Sequence, residues 1–436
     1  MPLLDETHDA ALISFVDSAA AEKTDFPIQN LPFGVFRRGG AKEPRAGIAI
    51  GSEILDVGRA LAAGLIEGEA AVAAEALCGG TLNGLMALGR GQAKALRLDV
   101  SRLLRTGSKR QSEVGACLVP MREAKLELPG KIGDFTDFFT SLQHSSNTSR
   151  IFDRNRPELA NFRSLPIAYH GRASTIVASD TPCIRPKGQI RPNREEPAIF
   201  AASRQLDFEA EIGVFVAVGN ELGKSVALAE AETHVFGLCL LNDWSARDMQ
   251  AWESKPLGPF LAKSFLTSIS PWIVTLDALA PFRVAAADRG IAPPLLAYLD
   301  DEADRRAGAI DVKLEALVST QAMRDKGLEP FALSHPQFRD QYWTIFQMLA
   351  HHTSNGCSLL PGDLLGSGTV SGATAQELGC LLELTEAGRK PFSLPSGETR
   401  AYLEDGDEVI MRGRCERDGF VPIGFGECRG RVLPAL

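Results

Sequence analysis

The segment Leu206-Asp207-Phe208-Glu209-Ala210-Glu211-Ile212-Gly213-Val214-Phe215-Val216 decides how the rest of the chain is read. Its β-branched and aromatic residues favour a strand. Strand side chains alternate between faces, so Asp207, Glu209 and Glu211 share one face, with neighbours about 7 Å apart. At an effective dielectric of about 20, each adjacent pair repels by roughly 2–3 kcal/mol if buried. That is a large share of a typical stability of roughly 5–15 kcal/mol. Water must screen this face, or something positive must offset the repulsion. A solvated polar face is the commoner reading of an isolated Glu-x-Glu. If a metal is held instead, clustered carboxylates favour a hard cation such as Mg²⁺, Ca²⁺ or Mn²⁺ over zinc.

Working outward, Val235 to Leu241 reads as a buried strand running into Asn242-Asp243-Trp244-Ser245-Ala246-Arg247-Asp248-Met249-Gln250. Asn242 or Asp243 can cap a helix there. Asp243, Arg247 and Gln250 then fall at i, i+4 and i+7 of one helical face. An ordinary surface helix with an Asp–Arg pair worth tenths of a kcal/mol explains that stripe equally well. Upstream, Gly133-Asp134-Phe135-Thr136-Asp137-Phe138-Phe139 precedes His144. A helix starting at Asp137 places Asp137 and His144 on one face, about 10 Å apart along the axis. His8, His170, His234, His335, His351 and His352 compete with His144 for a role.

Three lookalikes are set aside. Gly219 to Ser225 resembles a phosphate loop but has one residue too few between its glycines. Gly366 to Gly372 resembles a dinucleotide fingerprint, but its third glycine comes one position late. No Gly-x-Ser-x-Gly elbow occurs, which weakens a serine-hydrolase reading.

Around these segments, residues 30–60 read as a short β-rich unit and Ala60 to Leu77 as a helix broken by Gly79-Gly80. Ala124 to Leu128 is strand-like between prolines, and a boundary is placed near residue 128. Beyond it the chain reads as one mostly β unit with few helices, at about 137–146, 243–253 and 339–352. Ile310 to Leu317 alternates as a half-buried strand should. Val409-Ile410-Met411 and Gly424 to Gly430 read as closing strands. The 436 residues suggest two or three domains. A charge of −9, from 55 acidic and 46 basic residues, argues against a general nucleic-acid binder. Eight scattered cysteines without a Cys-x-x-Cys pair read as reduced thiols in a cytoplasmic protein with no zinc site. The N-terminus lacks the basic and apolar regions of a signal peptide, and stretches such as Phe236 to Leu241 are far too short to span a membrane.

Taken together, the blocks Gly133 to Phe138, Tyr169-His170-Gly171-Arg172-Ala173-Ser174, Asn242 to Arg247, Gly258 to Phe265, Pro361-Gly362-Asp363-Leu364-Leu365 and Ser367-Gly368-Thr369 resemble the fumarylacetoacetate hydrolase family. The resemblance runs from about Leu31 to Leu436. It implies a mainly β fold, with a small N-terminal SH3-like β-barrel domain (1–128) and a larger C-terminal β-roll domain (129–436), assembled as a homodimer. It implies a divalent cation, Mg²⁺ or Ca²⁺, on Asp137, Glu209, Glu211 and Asp243, leaving Asp207 aside. The backbone near Lys263 and Thr267 resembles a second cation site shared with Asp243. His144 matches the catalytic base and Glu383 its orienting acid. Arg247, Gln250 and Lys263 match the oxyanion donors, and Tyr169, Gln250 and Thr369 the substrate contacts.

The implied reaction is cleavage by water of the carbon–carbon bond of 4-fumarylacetoacetate, giving fumarate and acetoacetate, the last step of tyrosine and phenylalanine catabolism. Three positions depart from the family pattern. Phe139 and Ser254 stand where tyrosines are usual. A substrate-pairing arginine falls at Asp153, with Arg150 or Arg154 within reach of the same place. A drifted pocket would suit a related acylpyruvate or β-diketone acid hydrolase. The same cation chemistry would suit a decarboxylase or tautomerase, and a cation-stabilised binding protein would need no base.

Overall fold

Apolar residues crowd both faces of Val235–Asp243, and all nine of its residues are buried. A strand covered on both faces belongs in the middle of a sheet. In the computed structural model, which describes residues 3–40, 43–152, 159–193, 195–290 and 293–436, it lies inside a 13-stranded mixed sheet. On one side it pairs antiparallel with Ala210–Val216, also wholly buried, in a register that sets Ala210 opposite Asn242. Ala210–Val216 pairs in turn with Leu364–Gly366, which runs parallel to Phe135–Phe139 with Gly366 opposite Asp137. Ile167–His170 closes that edge and sets Tyr169 opposite Asp137. Residues distant in sequence thus converge on neighbouring strands at one level of the sheet.

The other half of the sheet belongs to the N-terminal region. Trp272–Thr275 pairs with Val235–Asp243 and, through Phe33↔Ile273 and Gly34↔Trp272, with Phe33–Arg38. A Cβ on Gly34 would come within 2.5 Å of the Trp272 ring, so this close approach requires glycine. Arg45–Ile50, Glu53–Asp56 and Leu118–Pro120 continue outward, and Ala124–Glu127 pairs beside them with Phe33–Arg38.

Helices cover this half: Val57–Ala62, Gly68–Glu75, Asn83–Leu88, Arg90–Leu104 and Gln111–Gly115. The longest buries Ala93, Leu96, Arg97, Val100, Ser101 and Leu104, the stripe of a helix packed on one side. Arg97 is tolerated there because its guanidinium donates to the Thr7 hydroxyl and to the backbone oxygens of Gln29 and Asn30. A second sheet of five strands joins Lys313–Ser319, Glu408–Cys415 and Ile423–Leu433 to Phe331–Ser334 and Cys183–Ile184.

Several expectations need correction. The fold is mixed rather than mainly β, with about 28% strand and 27% helix. No barrel closes among the described residues of the N-terminal region, so the SH3-like barrel is not found there. The helix read from Ala60 to Leu77 is two, separated where Gly64 and Gly68 take positive φ. The helix read at 339–352 begins only at Ile345, where Thr344 caps it. The half-buried strand lies at Lys313–Ser319, two or three residues later than read. All eight cysteines are free thiols, and no helix among the described residues is long and apolar enough to cross a membrane.

Candidate active site

Asp137, Glu209, Glu211 and Asp243 are all buried, and each offers an oxygen within 4.8 Å of the others. Asp137 sits mid-strand, not on a helix: Phe138 and Phe139 extend the strand, and the helix bearing His144 starts only at Leu142. Asp243 is likewise the last residue of a strand rather than a helix cap. The next helix begins at Arg247, so Arg247 and Gln250 share a helix that Asp243 only precedes. The sequence-decisive segment is also not one strand. Leu206–Asp207 pairs with Ser245–Ala246, and the regular strand resumes at Ala210. That break separates Asp207 from the other two carboxylates.

Asp207 instead accepts from Arg247 Nε at 2.8 Å and from the backbone N–H groups of Leu381 and Leu382 at 2.7 and 2.9 Å. Arg247 also pairs with Glu209 at 2.8 Å and donates to the Gln250 side-chain oxygen at 3.0 Å. Lys263 bonds Glu209, and Asp243 at 2.7 Å. Tyr169 donates its hydroxyl to Asp243 at 2.9 Å, and Thr267 does so at 3.3 Å. The charge that offsets the carboxylates therefore comes from Lys263 and Arg247.

It does not offset all of them. Five buried carboxylates stand against two buried cations, so full ionisation would leave a surplus of three negative charges. Burial, with the facing Asp243, pushes the Asp137 carboxyl well above its usual range. Burial, with Asp137 and Asp243, does the same to Glu211. Burial would raise Glu209 too, but Lys263 and Arg247 outweigh it and hold its carboxyl low. Asp137 Oδ1 and Glu211 Oε1 are buried without a hydrogen-bond partner among the described residues, and unsatisfied buried acceptors of this kind are costly. A cluster of oxygen donors, short of positive charge and with lone pairs unused, fits a hard divalent cation. Gly366 makes room for it, since a Cβ there would lie 2.6 Å from Asp137 Oδ1. Gly368 donates its N–H to Glu211 at 3.1 Å. A cavity of about 170 Å³ lined by Tyr169, Asp243, Phe260, Lys263 and Thr267 opens beside the cluster.

His144 and Glu383 form the second half of the site. His144 Nδ1 lies 2.6 Å from Glu383 Oε2, both side chains buried. A carboxylate only accepts, so Nδ1 carries a proton, and in the neutral ring Nε2 then has the free lone pair. Nε2 makes no hydrogen bond among the described residues. Burial would raise Glu383, but His144, Asn147 and Ser371 outweigh it and hold it ionised. Phe139 sets its ring edge against His144 at 5.1 Å between centroids. Thr369 Oγ1 and Arg247 Nη2 are buried without hydrogen-bond partners among the described residues.

With this geometry in hand, the sequence was compared with known proteins. The profile described as fumarylacetoacetate (FAA) hydrolase C-terminal matches residues 135–433, and the one described as fumarylacetoacetase N-terminal matches residues 29–129. The chain belongs to the fumarylacetoacetate hydrolase family. Among curated family members, the fumarylacetoacetase of Oryza sativa subsp. japonica is 45% identical over 433 residues, covering 98% of both chains. That of Homo sapiens is 42% identical over 422 residues, covering 95% of this chain and 98% of its own. A solved structure titled as an HpcE protein of Mycobacterium smegmatis aligns with TM-score 0.50 and 16% identity, over 92% of this chain and 99% of that one. It speaks to the fold alone.

Within this family frame, the structure brings together Asp137, Glu209, Glu211, Asp243, Arg247, Gln250, Lys263, Thr267 and Tyr169 through the contacts above. His144, Glu383 and Phe139 are joined in the same way. Ser254 closes the Arg247–Glu253 helix. Asp153 and Arg154 lie outside the described residues. The sequence reading missed Ser371, Asn147 and Cys380, which surround Glu383. It set aside the run from Gly366 as a failed nucleotide loop and kept Ser367-Gly368-Thr369 through the family resemblance alone. The signal there was the smallness of residues 366 to 368, which let a strand end pack against two carboxylates.

Proposed function

We propose that this chain hydrolyses 4-fumarylacetoacetate to fumarate and acetoacetate. The observation that carries the reading is a charge-deficient oxygen cluster beside a buried His–Glu dyad, in a chain 45% identical to a plant fumarylacetoacetase along its length. His144 Nε2 takes a proton from water, whose oxygen attacks the carbonyl next to the scissile bond. Glu383 holds the ring in the tautomer this requires. The resulting oxyanion is met by donors already in place: Arg247 through its unpartnered Nη2, the Gln250 amide and Lys263. The carbon–carbon bond then breaks, and the acetoacetate carbon leaves as an enolate that is protonated in turn. Asp137, Glu209, Glu211 and Asp243 would hold a divalent cation, which would supply Lewis-acid charge to the reaction. The all-oxygen ligand set favours Mg²⁺ or Ca²⁺.

Thr369 has a spare hydroxyl for the substrate, and Tyr169 stands at the rim of the cluster. The backbone near Lys263 and Thr267, beside Asp243, is where the family resemblance puts a second cation. The division into a unit of residues 1–128 and a β-roll unit of 129–436, the homodimer and the cytoplasmic location are carried by the family resemblance. One observation favours a second reading, a related acylpyruvate or β-diketone acid hydrolase. Phe139 lies directly against the base and offers no hydroxyl to the substrate.

The deciding assay follows the loss of diketone enol absorbance before and after chelation, with Mg²⁺ or Ca²⁺ then restored. Fast, chelator-sensitive loss yielding fumarate and acetoacetate supports the proposal. No loss from folded, cation-loaded protein defeats it and makes acylpyruvates the next substrates.

A further inference from the structure

Glu383 collects more donors than orienting a histidine requires. Its Oε2 accepts from His144 Nδ1 at 2.6 Å, from the Ser371 hydroxyl at 2.7 Å and from the thiol of Cys380 at 3.2 Å. Its Oε1 accepts from Asn147 at 2.8 Å. Cys380 is fully buried and directly precedes the helix Leu381–Leu384, so one turn brings its sulfur to Glu383 three residues on. His144, Cys380 and Glu383 each present a ligand-type atom within 4.8 Å of the others. These atoms are already joined by hydrogens, however. Glu383 is held ionised and can only accept, so the sulfur must carry a proton rather than serve as a thiolate ligand. Burial and the neighbouring carboxylates of Glu383 and Asp207 push the thiol further from ionising.

The backbone at this residue is equally committed. Cys380 forms an isolated bridge with Glu209, and Ala210 donates its N–H to the Gly379 carbonyl at 2.9 Å. Leu381 and Leu382 are tied to Asp207. Residue 380 is therefore the point where the strand bearing the cation cluster meets the helix bearing the dyad acid. The backbone fixes where Glu383 starts, and the Ser371 and Cys380 side chains fix how its carboxylate is turned. Tilting the carboxylate plane away from His144 would strain all four hydrogen bonds at once.

The geometry points to Cys380 as a positioning residue of the dyad: its S–H holds the oxygen that receives the His144 Nδ1 proton, and so keeps Nε2 aimed at water. This inference rests on the hydrolytic reading given above. Ser371 alone would leave Oε2 with one side-chain hydroxyl to fix it, and the thiol adds a donor from the same helix that carries the acid.

The test compares Cys380→Ala with Cys380→Ser in the full chain loaded with Mg²⁺, using 4-fumarylacetoacetate. Removing one hydrogen bond predicts that Cys380→Ala lowers kcat about 3- to 10-fold and leaves KM within about twofold. Cys380→Ser restores the donor and brings kcat back to within about twofold of the parent chain. A packing role predicts the reverse order, because serine is the costlier residue in a dry, apolar niche. The downfield proton resonance of the His144–Glu383 bond supplies a readout independent of turnover. It should shift in Cys380→Ala and stay in place in Cys380→Ser. Parental kcat and an unmoved resonance in folded Cys380→Ala, or Cys380→Ser slower than Cys380→Ala, overturns the inference. So does a thiolate-to-metal absorption band that appears with Co²⁺ and vanishes in Cys380→Ser. If the parent chain does not turn over, the hydrolytic reading falls separately, and the resonance still reports whether Cys380 positions the dyad.

Discussion

The two halves of the site are built on opposite principles. Around Glu383 each carboxylate oxygen has a donor, and the His144 pair is complete without anything from outside. Around Asp137 and Glu211 two buried oxygens have no donor at all, and neighbouring carboxylates press on each other. A satisfied network is rigid before substrate arrives, which suits a group that must aim a lone pair. An unsatisfied one stores a cost that a positive ligand or a bound proton removes. Stability and function should therefore separate cleanly between the halves.

The largest expected effect breaks the dyad while sparing the cluster. His144→Ala should lower kcat by about 100- to 10,000-fold, the usual worth of a general base. The rise in melting temperature on adding Mg²⁺ or Ca²⁺ should survive. Unchanged turnover in a folded variant refutes the role of His144, and a lost cation response refutes the independence of the halves.

The second prediction acts on the cluster. Glu211→Gln removes a charge that repels its neighbours once Glu211 ionises, so the chelated protein should gain stability at high pH, on the order of 1–2 kcal/mol, while its melting temperature stops responding to cation. The parent chain should show the matching pH dependence. Asp137 and Glu211 hold protons more tightly in the folded, cation-free state than in the unfolded chain, where they titrate near 3.8 and 4.5. The stability they contribute is thus present at low pH and lost as pH rises from about 4 through their raised folded values. Differential scanning fluorimetry should find the gap between cation-loaded and chelated melting temperatures widening as pH rises. A constant gap would mean that these carboxylates are not the ones relieved by cation.

The smallest effect concerns the space between the ligands. A Cβ at Gly366 would sit 2.6 Å from Asp137 Oδ1 and 3.1 Å from Glu211 Oε2. Gly366→Ala should weaken cation binding by about tenfold, roughly 1.4 kcal/mol, as measured by titration calorimetry, with the dyad resonance unmoved.

These halves were not equally legible in the sequence. The four candidate ligands, His144 and Glu383 came from resemblance; the structure gathers the four carboxylates in one cluster and sets His144 against Glu383. Periodicity misled wherever a strand turns into a helix within a few residues. Phe138 and Phe139 suit either element, so nothing local showed that Asp137 ends up in a strand while His144 rides the next helix. Asn242-Asp243 carries the chemistry of a helix cap, yet the strand buries both faces and runs on through it. The helix Arg90–Leu104 was hidden for another reason: Arg97 and Ser101 occupy its core stripe, and only contacts with Thr7, Gln29 and Asn30 make the arginine acceptable there. Cys380 and Ser371 lay in unremarkable stretches, because their meaning exists only once Glu383 is folded against them.

The seam at Phe33↔Ile273 and Gly34↔Trp272 carries a practical consequence. A fragment trimmed to the residues after the proposed boundary would keep the catalytic groups but lose the neighbour of Trp272–Thr275. That leaves a row of unpaired amides and carbonyls beside an exposed tryptophan, a ready template for recruiting further chains. The first hundred residues act in this sense as a guard on an adhesive edge, and truncation should show itself as aggregation before it shows itself as lost chemistry.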